Sequence, residues 1–288
     1  IETDQFEYVN LHYHFFESYT ASGDGAFGGN LQNVRLLNEK DMGVFIISPY
    51  DKGGRLYAPS RKLRSLTLPD LEPITFGSLW LFNHANLDEE KSAIHTITIG
   101  AARPSDLDEP ACAAFLQNLK KDETMQKVQI VTKRLRDAEV EALGDKWLRN
   151  WYEGVPNCMT ENDVYQFGQI LSLHNGIKAW GLLDYAKDRY RTFDGNLNRW
   201  DFTITNKENI AKIGSMWGYM PGIATEIGKD YSKYFAGISE DRRNEVLKAL
   251  QFTFNYCSKE SEEKDAEVPD DWKTAYDMRP WNAFPERS

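Results

Sequence analysis

Asn30-Leu-Gln-Asn-Val-Arg-Leu-Leu-Asn-Glu-Lys-Asp-Met-Gly-Val-Phe-Ile-Ile47 decides the fold class. Its first part sets Leu31, Val34 and Leu37 on one helical face, and Gly43 supplies a stop. Val44 to Ile47 then runs without a polar residue, the pattern of a short strand buried on both faces. A helix that feeds directly into such a strand is part of a parallel βα series. Upstream, Tyr8-Val-Asn-Leu-His-Tyr-His14 is β-branched and aromatic, which predicts a strand, and a glycine-rich loop, residues 22–29, follows it. Downstream, residues 48–66 read as a long loop containing Gly53-Gly54, and Pro73 to Phe82 as a second helix. His95 to Ile99 is a third strand ending at Gly100, and Ser105 caps a helix over Asp106–Leu119. A whole (β/α)₈ barrel takes about 250 residues, so the three repeats in residues 6–119 are fewer than half of one.

Beyond Leu119 the period becomes helical. Val140, Leu143, Trp147 and Trp151 predict a helix over 137–151. Thr160-Glu-Asn-Asp163 resembles a capping box for a helix carrying Val164, Phe167 and Leu171. Trp180 to Tyr190 reads as another helix, and Ser239 caps a last one striped by Leu247, Leu250, Phe254 and Cys257. Residues 258–271 hold seven acids against two lysines, the composition of a solvated linker. Trp272, Tyr276, Trp281 and Phe284 then stand among prolines, a set expected to dock on the chain itself or on a partner. The expected division is 1–119, three βα repeats; 120–257, a helical extension; and 258–288, an acidic linker and aromatic tail.

Composition narrows the function classes. A net charge of −10 and no basic patch argue against nucleic acid. No apolar run approaches the roughly 20 residues of a membrane span. Three widely spaced cysteines, Cys112, Cys158 and Cys257, argue against a disulfide framework and for an intracellular, soluble setting, in the cytoplasm or an organelle lumen. The chain opens at Ile1 without an initiator Met, so a cleaved chain or an incomplete record is expected.

Three of these segments together, over about 115 residues, resemble the carboxyl-terminal half of the aldo-keto reductases. Asn10 stands where that family's sixth strand usually carries Gln against the nicotinamide carboxamide. Ser48-Pro49-Tyr50-Asp51-Lys52-Gly53-Gly54 resembles the loop that wraps the cofactor pyrophosphate. Ile99 to Glu109 is similar to the loop and helix start at the adenosine end. The resemblance implies an α/β fold, the last part of a (β/α)₈ barrel followed by an all-helical extension. It implies NADP or NAD held by Asn10, Ser48, Pro49, Lys52, Gly53, Gly54, Gly100, Arg103 and Glu109. It departs from the family where NADPH-preferring members place Lys and Arg, since Gly100 and Asp106 stand there, and Pro110 replaces an Asn. Weak preference for NADPH is the expectation. Arg103 either meets the cofactor or pairs with Asp106 or Asp108, and Lys52 either meets a phosphate or stays an exposed lysine beside a glycine turn.

Trp180-Gly-Leu-Leu-Asp-Tyr-Ala-Lys-Asp-Arg-Tyr190 resembles the helical module of the branch of that family that carries a four-iron cluster. The matching cysteine run is reduced to Cys158, so no cluster is expected. Cys158 has no nearby base and reads as an inert thiol. His12 and His14 share a strand face without a third ligand, which favours filling an interior over binding metal. His95 and His174 read as structural. The resemblance places the family's catalytic Tyr, Lys, Asp and His on strands before the first one found here, so the chain as written lacks them. Two functions follow. One is the carboxyl-terminal portion of an oxidoreductase moving a hydride between a nicotinamide dinucleotide and a carbonyl. The other is a non-catalytic reductase-like subunit of a larger assembly. Either needs an amino-terminal half or a partner chain to complete the barrel.

Overall fold

The computed structural model describes residues 5–16, 30–51, 54–101, 103–156, 164–213, 222–226, 228–261 and 267–275. Its sheet has three strands: β1 (Tyr8–Leu11), β2 (Gly43–Ile47) and β3 (Thr96–Thr98). All pair in parallel, in the order β1-β2-β3, with Val9 beside Val44 and Ile46 beside Ile97. The chain is α/β, as expected, and mostly helical. No closed barrel is formed by the described residues.

The register sorts the side chains into two faces. Val9, Leu11, Val44, Ile46 and Ile97 look toward the helices, with Val44 and Ile46 fully buried. Tyr8, Asn10, Phe45, Ile47, Thr96 and Thr98 lie on the other face, where the rings of Tyr8 and Phe45 stack at 4.7 Å. That second face is open. Tyr8 and Asn10 are exposed, and Phe45 and Ile47 are only half-buried. The expectation that β2 is buried on both faces is therefore corrected: it buries one. β1 is also shorter than residues 8–14, because the chain leaves the ladder after Leu11.

Helix α1 (Leu31–Glu39) buries Val34 and Leu37 against the sheet. It ends before Gly43; Asp41 takes the left-handed turn (φ 54°) and Gly43 opens β2. The stretch expected to be a loop over 48–66 contains α2 (Arg61–Thr67), whose cap is Ser60: its hydroxyl accepts from Leu63 N at 2.9 Å. Helix α3 (Pro73–Phe82) has the predicted bounds and buries nine of its ten residues, since it lies between the sheet and the helices beyond. The short α4 (His84–Leu87) follows. Ser105 is not the next cap; it sits inside a 3₁₀ turn, Pro104–Leu107, that precedes α5 (Asp108–Leu119).

Helix α6 (Lys121–Leu143) buries Thr124, Val128, Val131 and Leu135 at helical spacing. Gly144 (φ 77°) separates it from α7 (Asp145–Asn150), so the single helix expected over 137–151 is two. The helix expected over 180–190 is likewise two elements. Trp180 closes α8 (Phe167–Trp180), Gly181 turns left-handed (φ 70°), and α9 (Leu183–Leu197) starts afresh. Helix α10 (Asn206–Ile213) is short. Ser239 caps α11 (Glu240–Cys257) as expected, and Leu250, Phe254 and Cys257 are buried on it. Helix α8 packs between α6, α9 and α11.

Three distant segments meet beside Gly181. The Ser60 hydroxyl donates to the Trp180 carbonyl at 2.6 Å, and Ser60 bridges Thr274 in antiparallel fashion. A Cβ on Gly181 would stand 3.0 Å from Ser60 Oγ and 3.1 Å from Trp272 Cδ1. Among the described residues no helix is long and apolar enough to cross a membrane.

Candidate functional site at the carboxyl edge of the sheet

In parallel α/β proteins ligands gather where strands end, because the chain there leaves the ladder and exposes backbone polar groups. Asn10 lies on the open face one position before the end of β1, Ser48 directly follows β2, and Gly100 stands two residues beyond β3. Three expected cofactor residues thus stand at one edge of three adjacent strands. Ser48 has φ 51°, an unusual conformation for a residue with a side chain. Pro49 and Tyr50 are buried next to it, and the Tyr50 hydroxyl hydrogen-bonds Ser78 Oγ at 2.6 Å. The loop then turns back, Leu56 N donating to the Tyr50 carbonyl at 2.7 Å. Tyr57 stacks edge-on against Tyr50 and donates its hydroxyl to the Gly100 carbonyl. Tyr57 was not among the expected site residues; it ties the β2 loop to the β3 end across 43 residues, and no local sequence pattern marks it.

The other expected residues take different positions. Lys52 and Gly53 lie outside the described residues. Gly54 (φ 84°) is buried, and a Cβ there would meet Leu182 at 3.2 Å and Phe16 at 3.4 Å. Its missing side chain serves close packing against the α8–α9 corner. Gly100 is the reverse: exposed, with nothing within 4 Å of a Cβ placed on it. Arg103 pairs with Asp106, its Nε and Nη2 reaching Oδ1 at 3.1 and 2.9 Å, while Arg103 N donates to Oδ2 at 2.9 Å. Asp106 is buried in this contact and Arg103 remains exposed. Glu109 turns toward α3, where its Oε2 accepts from Thr75 N at 3.2 Å and from Thr75 Oγ1 at 3.4 Å. Burial raises its pKa, although the bonds from Thr75 oppose the rise. Glu109 thus caps a helix rather than facing the edge.

His12 Nδ1 stands 3.0 Å from the Ile47 carbonyl. His95 lies at the opposite end of β3, its Nδ1 accepting from Val44 N at 2.9 Å. Among the described residues no three His, Cys, Asp or Glu side chains are grouped as a metal site. Cys112 is exposed, Cys257 is buried with its thiol pushed up to about 12, and Cys158 lies outside the described residues.

Two polar clusters went unseen in the sequence. In the first, His84 Nδ1 faces the Ser92 carbonyl at 2.8 Å and Nε2 faces the Tyr13 hydroxyl at 2.9 Å. A carbonyl only accepts, so Nδ1 carries the proton, Nε2 accepts, and Tyr13 donates to it. Ser92 Oγ donates to Asp88 at 2.5 Å, and Arg35 Nη2 reaches Asp88 at 2.6 Å. Arg35 holds the Asp88 carboxyl well below the usual range, whereas burial raises Tyr13 and lowers His84. The Tyr13 proton is spent inside the core, so Tyr13 is not placed as an acid for a bound substrate. In the second cluster, Tyr165 donates to Glu226 at 2.5 Å and Lys229 contacts both. It combines a phenol, an ammonium and a carboxylate, but Tyr165 is 2% exposed and its pKa is raised by burial and by Glu226. A small cavity of about 160 Å³ adjoins Glu226, Lys229 and Tyr231.

No protein-family model, curated protein or solved structure matches this chain.

Proposed function

We propose that the chain is the carboxyl-terminal portion of an aldo-keto-reductase-like oxidoreductase, which moves a hydride between a nicotinamide dinucleotide and a carbonyl substrate. The observation that carries this reading is the convergence of Asn10, Ser48 and Gly100 at the ends of three adjacent parallel strands. When bound, the dinucleotide supplies the hydride. Asn10 would hold the carboxamide, the Ser48 loop the pyrophosphate, and exposed Gly100 with Arg103 the adenosine end. Glu109, directed at Thr75, contributes by fixing the start of α5 against α3. Further parallel strands, on the same polypeptide or a partner, would cover the open face and close the barrel. A parallel sheet is normally covered on both faces, and here Tyr8, Phe45 and Ile47 are not.

The test is titration of the chain with NADH and NADPH at fixed salt. Both should bind, and Gly100→Trp, whose Cβ would have nothing within 4 Å and whose ring would crowd the edge, should weaken both. Absence of binding to either, or a preference for NADPH above about a hundredfold that survives Arg103→Ala, sinks this site. The chain alone should not reduce aldehydes or quinones, since Tyr13 is committed to His84 and Tyr165 is buried.

A second reading, a non-catalytic subunit that docks in a larger assembly, is favoured by the apolar stripe on α5. Phe115 and Leu119, four residues apart on it, are 58% and 67% exposed, and Leu107 in the turn just before it is 47% exposed. Dinucleotide binding decides between the two.

A further inference from the structure

Helix α11 sets Leu247, Leu250, Gln251 and Phe254 on one face, at the i, i+3, i+4, i+7 spacing of a helical stripe. Leu250 and Phe254 are buried and Leu247 is half-buried, yet packing does not fill the space over them. A cavity of about 160 Å³ lies between this stripe and the segment from Thr225 to Tyr231. An apolar cavity of about 150 Å³ accepts one benzene ring, so this one has room for a single ring or a short branched chain.

The wall facing α11 is held in place. The Thr225 side chain bonds the Tyr190 hydroxyl at 2.6 Å, Ala224 N donates to the Phe193 carbonyl at 3.3 Å, and Glu226 N donates to the Tyr231 hydroxyl at 2.5 Å. A site fixed in advance loses little to ordering when it is filled. Its charged groups are mostly acceptors. Glu226 Oε1 takes the bonds from Tyr165 and Lys229, and its other oxygen makes no bond to the described residues. Asp230 Oδ1 takes those from Ser232 N and Oγ, at 2.8 and 2.6 Å, and its other oxygen likewise makes none among the described residues. Burial would raise the Glu226 carboxyl, but the bonds from Lys229 and Tyr165 hold it below its usual range, and the bonds from Ser232 lower Asp230. The cation in the lining, Lys229, is engaged: it bonds Tyr165 and Glu226 and lies over the rings of Tyr165 and Phe202, at 4.8 and 5.4 Å. Arg243, which also acts on Asp230, is not part of the lining. Two carboxylates against one ammonium leave the lining net negative, and the rings of Tyr231 and Phe254 also favour a cation.

We propose that this cavity binds a small primary amine in its ammonium form, its carbon body against Leu250, Phe254 and Tyr231 and its charge at Glu226 and Asp230. The site shares no residue with the strand ends and does not depend on the dinucleotide reading.

The test is calorimetric titration of the full chain with phenethylamine, and with phenylacetate as a control of similar shape and opposite charge. Saturable binding of the amine with a Kd of about 1 mM or tighter is expected, and binding of the acid weaker by about tenfold or more. Glu226→Gln with Asp230→Asn should remove the preference for the amine. Gln251→Trp should fill the cavity mouth and abolish binding; Gln251 is exposed and bonds Asn255 on the same helix, so this variant decides even where the double variant folds poorly. No saturable binding of the amine, an equal affinity for phenylacetate, or binding that survives Gln251→Trp overturns the proposal.

Discussion

The sheet region, residues 8–119, and the helical region, residues 121–257, bury their apolar side chains with unequal success. Within the helical region α8 is enclosed by α6, α9 and α11 and buries nine of its fourteen residues. Among the described residues of the sheet region, one face of the sheet is open, both edge strands have a free side, and Leu107, Phe115 and Leu119, on and just before α5, are exposed. Both regions draw on the same residue types. The contrast therefore lies in what covers them: a helix bundle can close on itself, while a parallel sheet needs a layer on each face. The region that leaves its surfaces unsatisfied is also the one whose strand ends hold the candidate site.

The contrast is broken most directly by Phe167→Ala. Phe167 is fully buried among the rings of Tyr165, Tyr231, Tyr234 and Phe235. Its truncation should cost about 3–5 kcal/mol in urea unfolding. A cost under 1 kcal/mol would show the helical region to be looser than its packing suggests.

An acid titration comes next. Burial lowers His174 from 6.5 to about 4, where it sits against Trp147 and Phe252. The folded state holds it neutral while the unfolded state takes a proton. Stability is therefore full above pH 6.5 and is lost as pH falls toward 4, by about 2–3 kcal/mol. Asp194 opposes this in the same window. Burial raises it from 3.8 to about 6, so its contribution worsens as pH rises from 3.8 to 6. The comparison that isolates His174 is the pH slope of the chain minus that of His174→Asn; identical slopes would refute the assignment.

Within the sheet region, Tyr13→Phe removes the donor to His84 Nε2 and leaves a buried acceptor without it, at a cost of about 1–3 kcal/mol. A neutral result in urea unfolding would mean that water replaces the hydroxyl. The smallest effect is expected on the open side. Phe115→Ser or Leu119→Lys should change the stability of the chain by no more than about 0.5 kcal/mol. A larger loss would show that a second copy already covers α5, and sedimentation would then show a dimer.

Strand positions were legible because a period of two, glycine stops and short apolar runs are local signals. Helix boundaries were less so. Nothing in the apolar period of 137–151 marks Gly144 as a break, since Val140 and Trp147 keep the spacing on either side. Trp180 carries the spacing of both α8 and α9, and only the left-handed Gly181 separates them. α2 is hard to see in sequence because it has only seven residues and buries only Leu63 and Thr67, too few to set up a period, although Ser60 is an ordinary cap. At the candidate site, Asn10, Ser48 and Gly100 are implied by the family resemblance, and each lies at or near the end of a strand. The commitments of Arg103 to Asp106 and of Glu109 to Thr75 were not settled by sequence, because each depends on how α5 meets its neighbours. The Tyr13–His84 pair spans 71 residues and has no sequence signature at all.

The meeting of Ser60, Gly181 and Trp272 has a consequence for the time order of folding. Its hydrogen bond closes a loop of 120 residues, and its bridge to Thr274 closes a longer one. Contacts so remote in sequence repay their closure entropy only after the intervening helices have formed. This junction should then be among the last features to appear during refolding and the first to open on unfolding. Trp272, resting 3.1 Å from where a Gly181 Cβ would be, is a natural reporter of that final step.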